Sequence, residues 1–189
     1  MIADPLSEAR AALAQRQGAG ARCDAPNAPH RELSWARLGT AYFARKLADL
    51  PDAQLRESSA RPGCTRKRVI AATALQARAM AQAIELAMGC PTPDPAETDD
   101  AALQLAETLP ARALRHLVAH AAIHLNVVWR DLAPDQWDLP LTGISGAPTI
   151  RATAGQRARA LWIGACDLGN GGRLADAPAD LRPVLVPGF

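Results

Sequence analysis

The sequence has very few aromatic residues: two Phe, four Trp and one Tyr in 189 positions. β-Branched residues are also scarce, whereas alanine alone fills 42 positions. Sheet proteins draw on aromatic and β-branched side chains, and alanine is the strongest helix former. With 49% hydrophobic residues the chain can still build a core. The composition therefore disfavours a sheet and predicts an all-α protein of closely packed helices.

Long apolar runs and an excess of one charge are also missing. No stretch reaches the roughly 18 apolar residues that a membrane-spanning helix needs. The first residues, MIADPLSEARAALAQR, do not place a basic start before an apolar core, as a secretory signal does. The net charge is +2 and the arginines are scattered rather than clustered on one stripe. We therefore expect a cytoplasmic protein without a membrane or nucleic-acid partner.

Cysteine motifs are absent as well. The four cysteines are Cys23, Cys64, Cys90 and Cys166, and their spacing contains no CxxC pair and no pattern of metal ligands. In a chain that is not exported, such cysteines are most simply reduced thiols.

Hydrophobic periodicity and end signals predict four long helices. They cover about residues 32–50, 65–88, 110–132 and 153–168. Thr65 is the expected N-cap of the second helix, Pro110 opens the third, and the glycines of DLGNGG end the fourth. Shorter helices are predicted near 5–17 and 97–107. One short and two long connections predict an antiparallel four-helix bundle with long crossover connections.

The same boundaries divide the chain into three parts. Residues 1–30 are expected to form an N-terminal helix and a connector, residues 31–176 the bundle, and residues 177–189 a C-terminal tail.

Four stretches carry a resemblance to a known family. They are GCTRKRVIAATALQARA, LPARALRHLVAHAAIHLNVVWRDL, QWDLPLTG and RARALWIGACDLGNGG. In this order they resemble the N-terminal domain of mycothiol-dependent maleylpyruvate isomerases, within the wider group of DinB-like bundles. The similarity runs from about residue 18 to residue 176, which is most of the chain. It implies a DinB-like four-helix bundle.

The resemblance fails at the residues that bind metal in the family. The family's metal-binding histidine of the second helix falls on Ala72, and its glutamate and second histidine of the last helix fall on Ala160 and Gly164. A divalent metal needs about three nitrogen or oxygen donors, and alanine and glycine offer none. The family's substrate-binding arginine falls on Asp99 or Ala101. We therefore expect no metal and no cofactor.

The lost side chains leave two alternatives for the space that they occupied. Either neighbours fill it, or a widened pocket remains for an organic ligand. The second alternative predicts a small-molecule site between the second, third and fourth long helices. Its expected lining residues are Ala72, Gln76, His124, Ala160 and Gly164. Gln76 is expected to bond either a ligand or another helix, because a buried amide needs partners.

Two charged residues belong to the same predicted face of the last helix. Arg157 and Asp167 lie three residues to either side of the Ala160/Gly164 pair. As substrate-binding residues they would hold an anion and a donor group. The alternative is a surface ion pair for Arg157 and a local backbone cap for Asp167.

Two further residues are candidate catalytic groups. His124 has an intrinsic pKa suited to proton transfer near neutrality. Cys64 precedes a helix N-terminus, where a thiolate is stabilised, although a small buried residue also fits that position. His116, His120 and His124 have ligand-like spacing, but the helical wheel indicates a structural role. Ile123, His124 and Val127 form a weak apolar strip that suits a homodimer surface.

Three functions remain compatible with the sequence. The first is a metal-independent enzyme of isomerase, cyclase or lyase type that acts on a small organic molecule, in specialised bacterial metabolism. The second is a non-catalytic binding or self-resistance protein, and the third is a subunit that stabilises an active homologue. The first is our expectation, and it is supported by analogy with the fold family.

Overall fold

The structure is a computed structural model, which describes residues 24–90 and 98–185. Its α-helices are α1 (His30–Ala48), α2 (Arg66–Ala87), α3 (Asp100–Glu107), α4 (Ala111–Asp131), α5 (Ile150–Asp167) and α6 (Arg182–Leu185). Single 3₁₀ turns cover Asp52–Arg56, Pro134–Asp138 and Leu174–Asp176. The helix predicted near 5–17 lies outside the described residues. Within the described ranges, β structure is limited to two isolated bridges, which confirms the all-α class.

The end signals at Thr65, Pro110 and DLGNGG coincide with helix ends, whereas α5 begins at Ile150, three residues before its predicted start. The side chain of Thr65 accepts a hydrogen bond from the Arg68 amide at 3.0 Å and so caps α2. Asp99 caps α3 by accepting from the Ala102 amide at 2.8 Å. Beyond α5, Gly169 has a φ of +69°, the left-handed conformation that ends many helices and that glycine adopts readily.

The four long helices are not packed evenly. α1 lies along α5, α2 lies along α4, and α2 also contacts α5 and α3. α1 and α4 meet at only a few points. The result is the predicted DinB-like bundle, with its loosest seam between α1 and α4.

Each long helix buries one face in the core. On α4 the buried residues include Leu114, Val118, Ala121, Leu125 and Val128. On α2 they include Val69, Thr73, Met80 and Ile84. In the described part of the chain, no helix combines the length and the hydropathy needed to cross a membrane.

The segment after residue 176 packs against α1. Leu181 and Leu185 are buried in the core. The Trp35 indole donates to the Asp180 carboxylate at 3.2 Å, and the Tyr42 hydroxyl donates to Asp176 at 2.7 Å. These contacts add to the packing of α1, most of which comes from α5.

Candidate functional site

The space beside Gly164 is filled by its neighbours. A Cβ atom placed on Gly164 would lie 3.3 Å from Thr73 Oγ1 and 3.4 Å from Phe43 Cε2. Phe43 is buried, and it comes from α1, a helix that the sequence interpretation did not consider at this point. Of the two alternatives for the lost ligand volume, the structure shows filling rather than a widened pocket.

The residues present do not fit a metal ion. The positions that the family resemblance assigns to metal ligands hold Ala72, Ala160 and Gly164, which have no donor side chains. Across the residues that the structure describes, no group of three or more His, Cys, Asp or Glu side chains is arranged to hold a metal. The site is therefore interpreted without metal chemistry.

A cavity of about 550 Å³ lies instead between α1 and α4, with α5 beneath it. Short side chains face each other across the seam and leave it unfilled: Thr40, Ala44 and Ala48 on α1, and Ala119 and Ala122 on α4. Phe43, Leu47, Val118 and Leu161 complete a mainly apolar wall. The volume lies within the range of small-molecule sites in proteins.

A second lobe of about 280 Å³ continues along the same seam. It shares Thr40, Ala122 and Arg157 with the first lobe. Its other walls include Trp129 and Ile123. Arg157 thus borders both lobes near their junction. The predicted lining residues Ala72, Gln76, His124, Ala160 and Gly164 are not on these walls, so the predicted site between α2, α4 and α5 does not coincide with this cavity and stays a prediction.

Arg157 is the charged residue at the centre of this site. It is 2% exposed, so the prediction of a surface ion pair for it was wrong. Its Nη1 donates to the Thr73 carbonyl at 2.7 Å and to Gln76 Oε1 at 2.9 Å. Its Nη2 is buried and has no hydrogen-bond partner in the described parts of the chain. Burial lowers the pKa of this guanidinium to about 9, so it is still protonated at neutral pH.

Position 160 offers no acidic partner to Arg157. The family resemblance places a glutamate at 160, one helical turn after Arg157 and on the same face. Here that residue is Ala160. Within the described residues, no carboxylate forms an ion pair with Arg157, and burial is the cause of its lowered pKa. Arg157 is therefore a buried cation without a counter-charge among the residues that the structure describes.

Arg115 organises the mouth of the larger lobe. From α4 it donates to the carbonyls of Leu47 and Leu50 at the end of α1, and its Nη2 lies 3.0 Å from Asp52 Oδ1. A guanidinium at the carbonyl end of a helix also has a favourable interaction with the helix dipole. Sequence reasoning missed Arg115, because its partners are 63 to 68 residues away in the chain.

The two candidate catalytic groups lie away from these walls. His124 Nε2 is 2.8 Å from Glu85 Oε1 on α2, a partner that the sequence interpretation did not name. Cys64 is half-buried in the turn before α2, where its backbone carbonyl accepts from the Ser59 amide at 2.9 Å. The structure does not bring His124 and Cys64 to the cavity of Arg157.

Asp167 and Cys166 occupy the far end of α5. Burial raises the pKa of the Asp167 carboxyl, and the charge of Arg61 partly opposes this effect. Burial, and then the charges of Asp167 and Asp176, raise the pKa of the Cys166 thiol. A raised pKa disfavours the reactive thiolate. Asp167 does not line either lobe of the cavity, so it and Arg157 do not form one site there.

Comparison with known proteins gives a consistent result. The family model described as the mycothiol maleylpyruvate isomerase N-terminal domain matches residues 36–169. A crystal structure of a histidine-to-alanine mutant of the mycothiol-dependent maleylpyruvate isomerase is similar, with a TM-score of 0.74 and 30% identity over 82% of this chain. A second crystal structure, of the mycothiol-dependent maleylpyruvate isomerase, gives 0.73 and 29% over the same share.

The similarity covers only part of the two solved chains. The chain spans 66% of the length of each of the two solved chains, just under two thirds. A comparison with curated proteins gives no match. The family model nevertheless covers more than half of the chain and all four long helices in whole or in large part. This chain therefore belongs to the family of the mycothiol maleylpyruvate isomerase N-terminal domain.

Proposed function

We propose that this protein binds a small organic acid in the α1–α4 cavity without the help of a metal, with the carboxylate of the ligand against Arg157. The observation that carries the proposal is the buried guanidinium beside a 550 Å³ cavity. Its Nη2 has no partner among the described residues. An unpaired buried charge is costly, and a carboxylate supplies both the missing charge and the missing acceptor.

The cavity wall determines the chemical character of the ligand apart from its carboxylate. Leu47, Val118 and Leu161 are aliphatic, and Phe43 adds an aromatic surface. Such a wall favours a hydrocarbon body, because burying apolar area stabilises a complex by about 25 cal/mol per Å². The ligand class is therefore an organic acid with an apolar body rather than a sugar or a nucleotide.

Among the functions considered from sequence, this geometry best supports a metal-independent binding protein. The candidate general acid–base group His124 and the candidate nucleophile Cys64 lie outside the cavity walls. A binding or self-resistance role needs neither group in the cavity. It needs the cavity and its anion-pairing residue.

The second candidate function is the metal-independent isomerase, cyclase or lyase acting on the same acid. Arg157 favours it, because a preorganised cation in an apolar site stabilises negative charge that develops on a substrate oxygen. In that role the guanidinium would supply positive charge where the family resemblance implies a metal. Turnover of a bound acid, followed by NMR over hours, distinguishes this candidate from simple binding.

The test is calorimetric titration of the purified, chelator-treated protein with octanoate. We expect saturable binding that weakens by about tenfold or more in Arg157→Met, since a buried charge-assisted contact contributes about 1.5–3 kcal/mol. Arg159→Met is the matched control, because Arg159 is an exposed arginine on the same helix. Equal octanoate affinity in Arg157→Met and Arg159→Met would remove Arg157 from the site. Binding that disappears after chelation would contradict metal independence.

A further inference from the structure

The charged side chains that line the cavity differ in whether they have a partner of opposite charge. In the larger lobe the charged lining residues are Arg157, Arg115 and Asp52. Arg115 and Asp52 are paired at 3.0 Å. In the smaller lobe Arg37 is held by Asp24 through two contacts of 2.6 and 2.7 Å. Arg157 is thus the cation of these walls that has no acidic partner within the described chain.

Each nitrogen of the Arg115 guanidinium already has a partner. Its Nη1 donates to the Leu47 carbonyl, its Nη2 to the Leu50 carbonyl and Asp52 Oδ1, and its Nε lies 3.3 Å from Asp52 Oδ1. Turning Arg115 toward a ligand would weaken the contacts that join α4 to the end of α1. The mouth therefore presents a satisfied ion pair to an incoming molecule.

Asp52 neutralises the charge of Arg115 at that mouth, since its Oδ1 lies 3.0 Å from Arg115 Nη2. The Asp52 side chain itself is 69% exposed. A second carboxylate on the ligand would lie either against the aliphatic wall, where it loses hydration, or near the Arg115–Asp52 pair, which has no net charge to attract it.

We propose, on the basis of the organic-acid function above, that this site selects acids with a single carboxylate and an apolar body, and that Asp52 is a specificity residue that disfavours dicarboxylates. One cation receives one carboxylate, and the apolar tail fills the lobe toward the mouth. The chemical class is a monocarboxylic acid of medium chain length or with a hydrocarbon ring.

The test compares matched pairs of probes: hexanoate with hexanedioate, and octanoate with octanedioate. Each pair differs only in the second carboxylate. We expect the monoacid of each pair to bind at least about tenfold more tightly, because an unpaired carboxylate on an apolar wall is strongly disfavoured. Octanamide, which keeps the chain but lacks the charge, is expected to bind weakly.

The role of Asp52 is tested by Asp52→Asn, which removes the charge and keeps the shape. We expect the preference for octanoate over octanedioate to shrink by about threefold at low salt, the size of a screened interaction at an exposed site. Asp135→Asn is the matched control, since Asp135 is exposed and does not line the cavity.

The outcomes distinguish single-carboxylate selectivity from organic-acid binding as such. Equal or tighter binding of the diacids would overturn single-carboxylate selectivity while leaving organic-acid binding intact. Binding of neither acid would overturn both. A preference that is unchanged in Asp52→Asn would overturn the role of Asp52. A preference that shrinks in Asp52→Asn and not in Asp135→Asn is the supporting result.

Discussion

At the scale of single residues, Arg157 is expected to reduce the stability of the free protein. Folding removes its guanidinium from water and returns two hydrogen bonds, to the Thr73 carbonyl and to Gln76. Replacing a buried charge by an apolar side chain of similar length is often neutral or stabilising by about 1–4 kcal/mol. We expect Arg157→Met to unfold at an equal or higher denaturant concentration at pH 7. A loss of more than about 2 kcal/mol would mean that the two hydrogen bonds outweigh the desolvation cost.

The pH dependence follows from the same residue. Burial lowers the pKa of Arg157 from its usual value to about 9. Below about pH 9 the guanidinium is charged and octanoate is ionised, so we expect a constant affinity from about pH 6 to 8. Above about pH 9 the free protein loses this proton, and the affinity is expected to fall by up to about tenfold per pH unit. Isothermal titrations at several pH values measure this directly.

As the pH rises above about 9, the change in stability has the opposite sign to the change in octanoate affinity. Above about pH 9, up to the ordinary pKa of an arginine side chain, the unfolded chain retains the Arg157 proton more often than the folded chain does. The free energy of unfolding attributable to this group therefore rises with pH in that window. The comparison between the wild-type protein and Arg157→Met isolates this effect from other groups. An affinity that stays constant through pH 10 would contradict the lowered pKa.

Sequence reasoning reached some residues of the site and missed others. It placed Arg157 on the face shared with Ala160 and Gly164, because helical spacing is a local property. It could not decide whether that face is buried, since burial depends on how α2 packs against α5. The filling of the space beside Gly164 by Phe43 was missed for the same reason: Phe43 is 121 positions earlier in the chain.

At the scale of helices, the α1–α4 seam is open because alanines face it. We expect Ala122→Phe to fill the junction of the two lobes, since Ala122 lines both. Filling an existing cavity avoids the cost of about 1–3 kcal/mol that overpacking a dense core brings. The variant should therefore keep its melting temperature within a few degrees and lose octanoate binding.

Ala41→Phe is the control for this change, because Ala41 is exposed on α1 and is not on the cavity walls. It adds the same ring outside the site and should leave octanoate binding unchanged. Full binding by a folded Ala122→Phe variant would place the ligand elsewhere.

The helices themselves were largely predictable, whereas the seam was not. Thr65 and Gly169 begin or end helices through contacts within a few residues, so their signals are visible in the sequence. Which pair of helices stays apart depends on how side-chain volumes sum across the whole bundle. The alanines of α1 and α4 indicated close packing from composition alone, and the structure shows them lining a cavity instead.

At the scale of the whole molecule, the pairing of α1 with α5 constrains the order in which the chain can fold. Trp35 bonds Asp180 across 145 residues, and Trp162 bonds the Trp35 carbonyl across 127. The contacts of α2 with the segment before α4 are more local, as Lys67 bonds the Glu107 carbonyl across 40 residues. Closing longer loops costs more chain entropy, so long-range pairings tend to form later.

The uneven pairing thus has a kinetic consequence. We expect α2 and α4 to form an early folding unit, and α1 to remain undocked until α5 and the residues that follow it are in place. Pulsed hydrogen exchange during refolding should protect the amides of α2 and α4 before those of α1. Simultaneous protection of all four long helices would indicate a single nucleus instead. During synthesis on a ribosome, the same order would leave the apolar face of α1 exposed and without its partner until α5 had emerged.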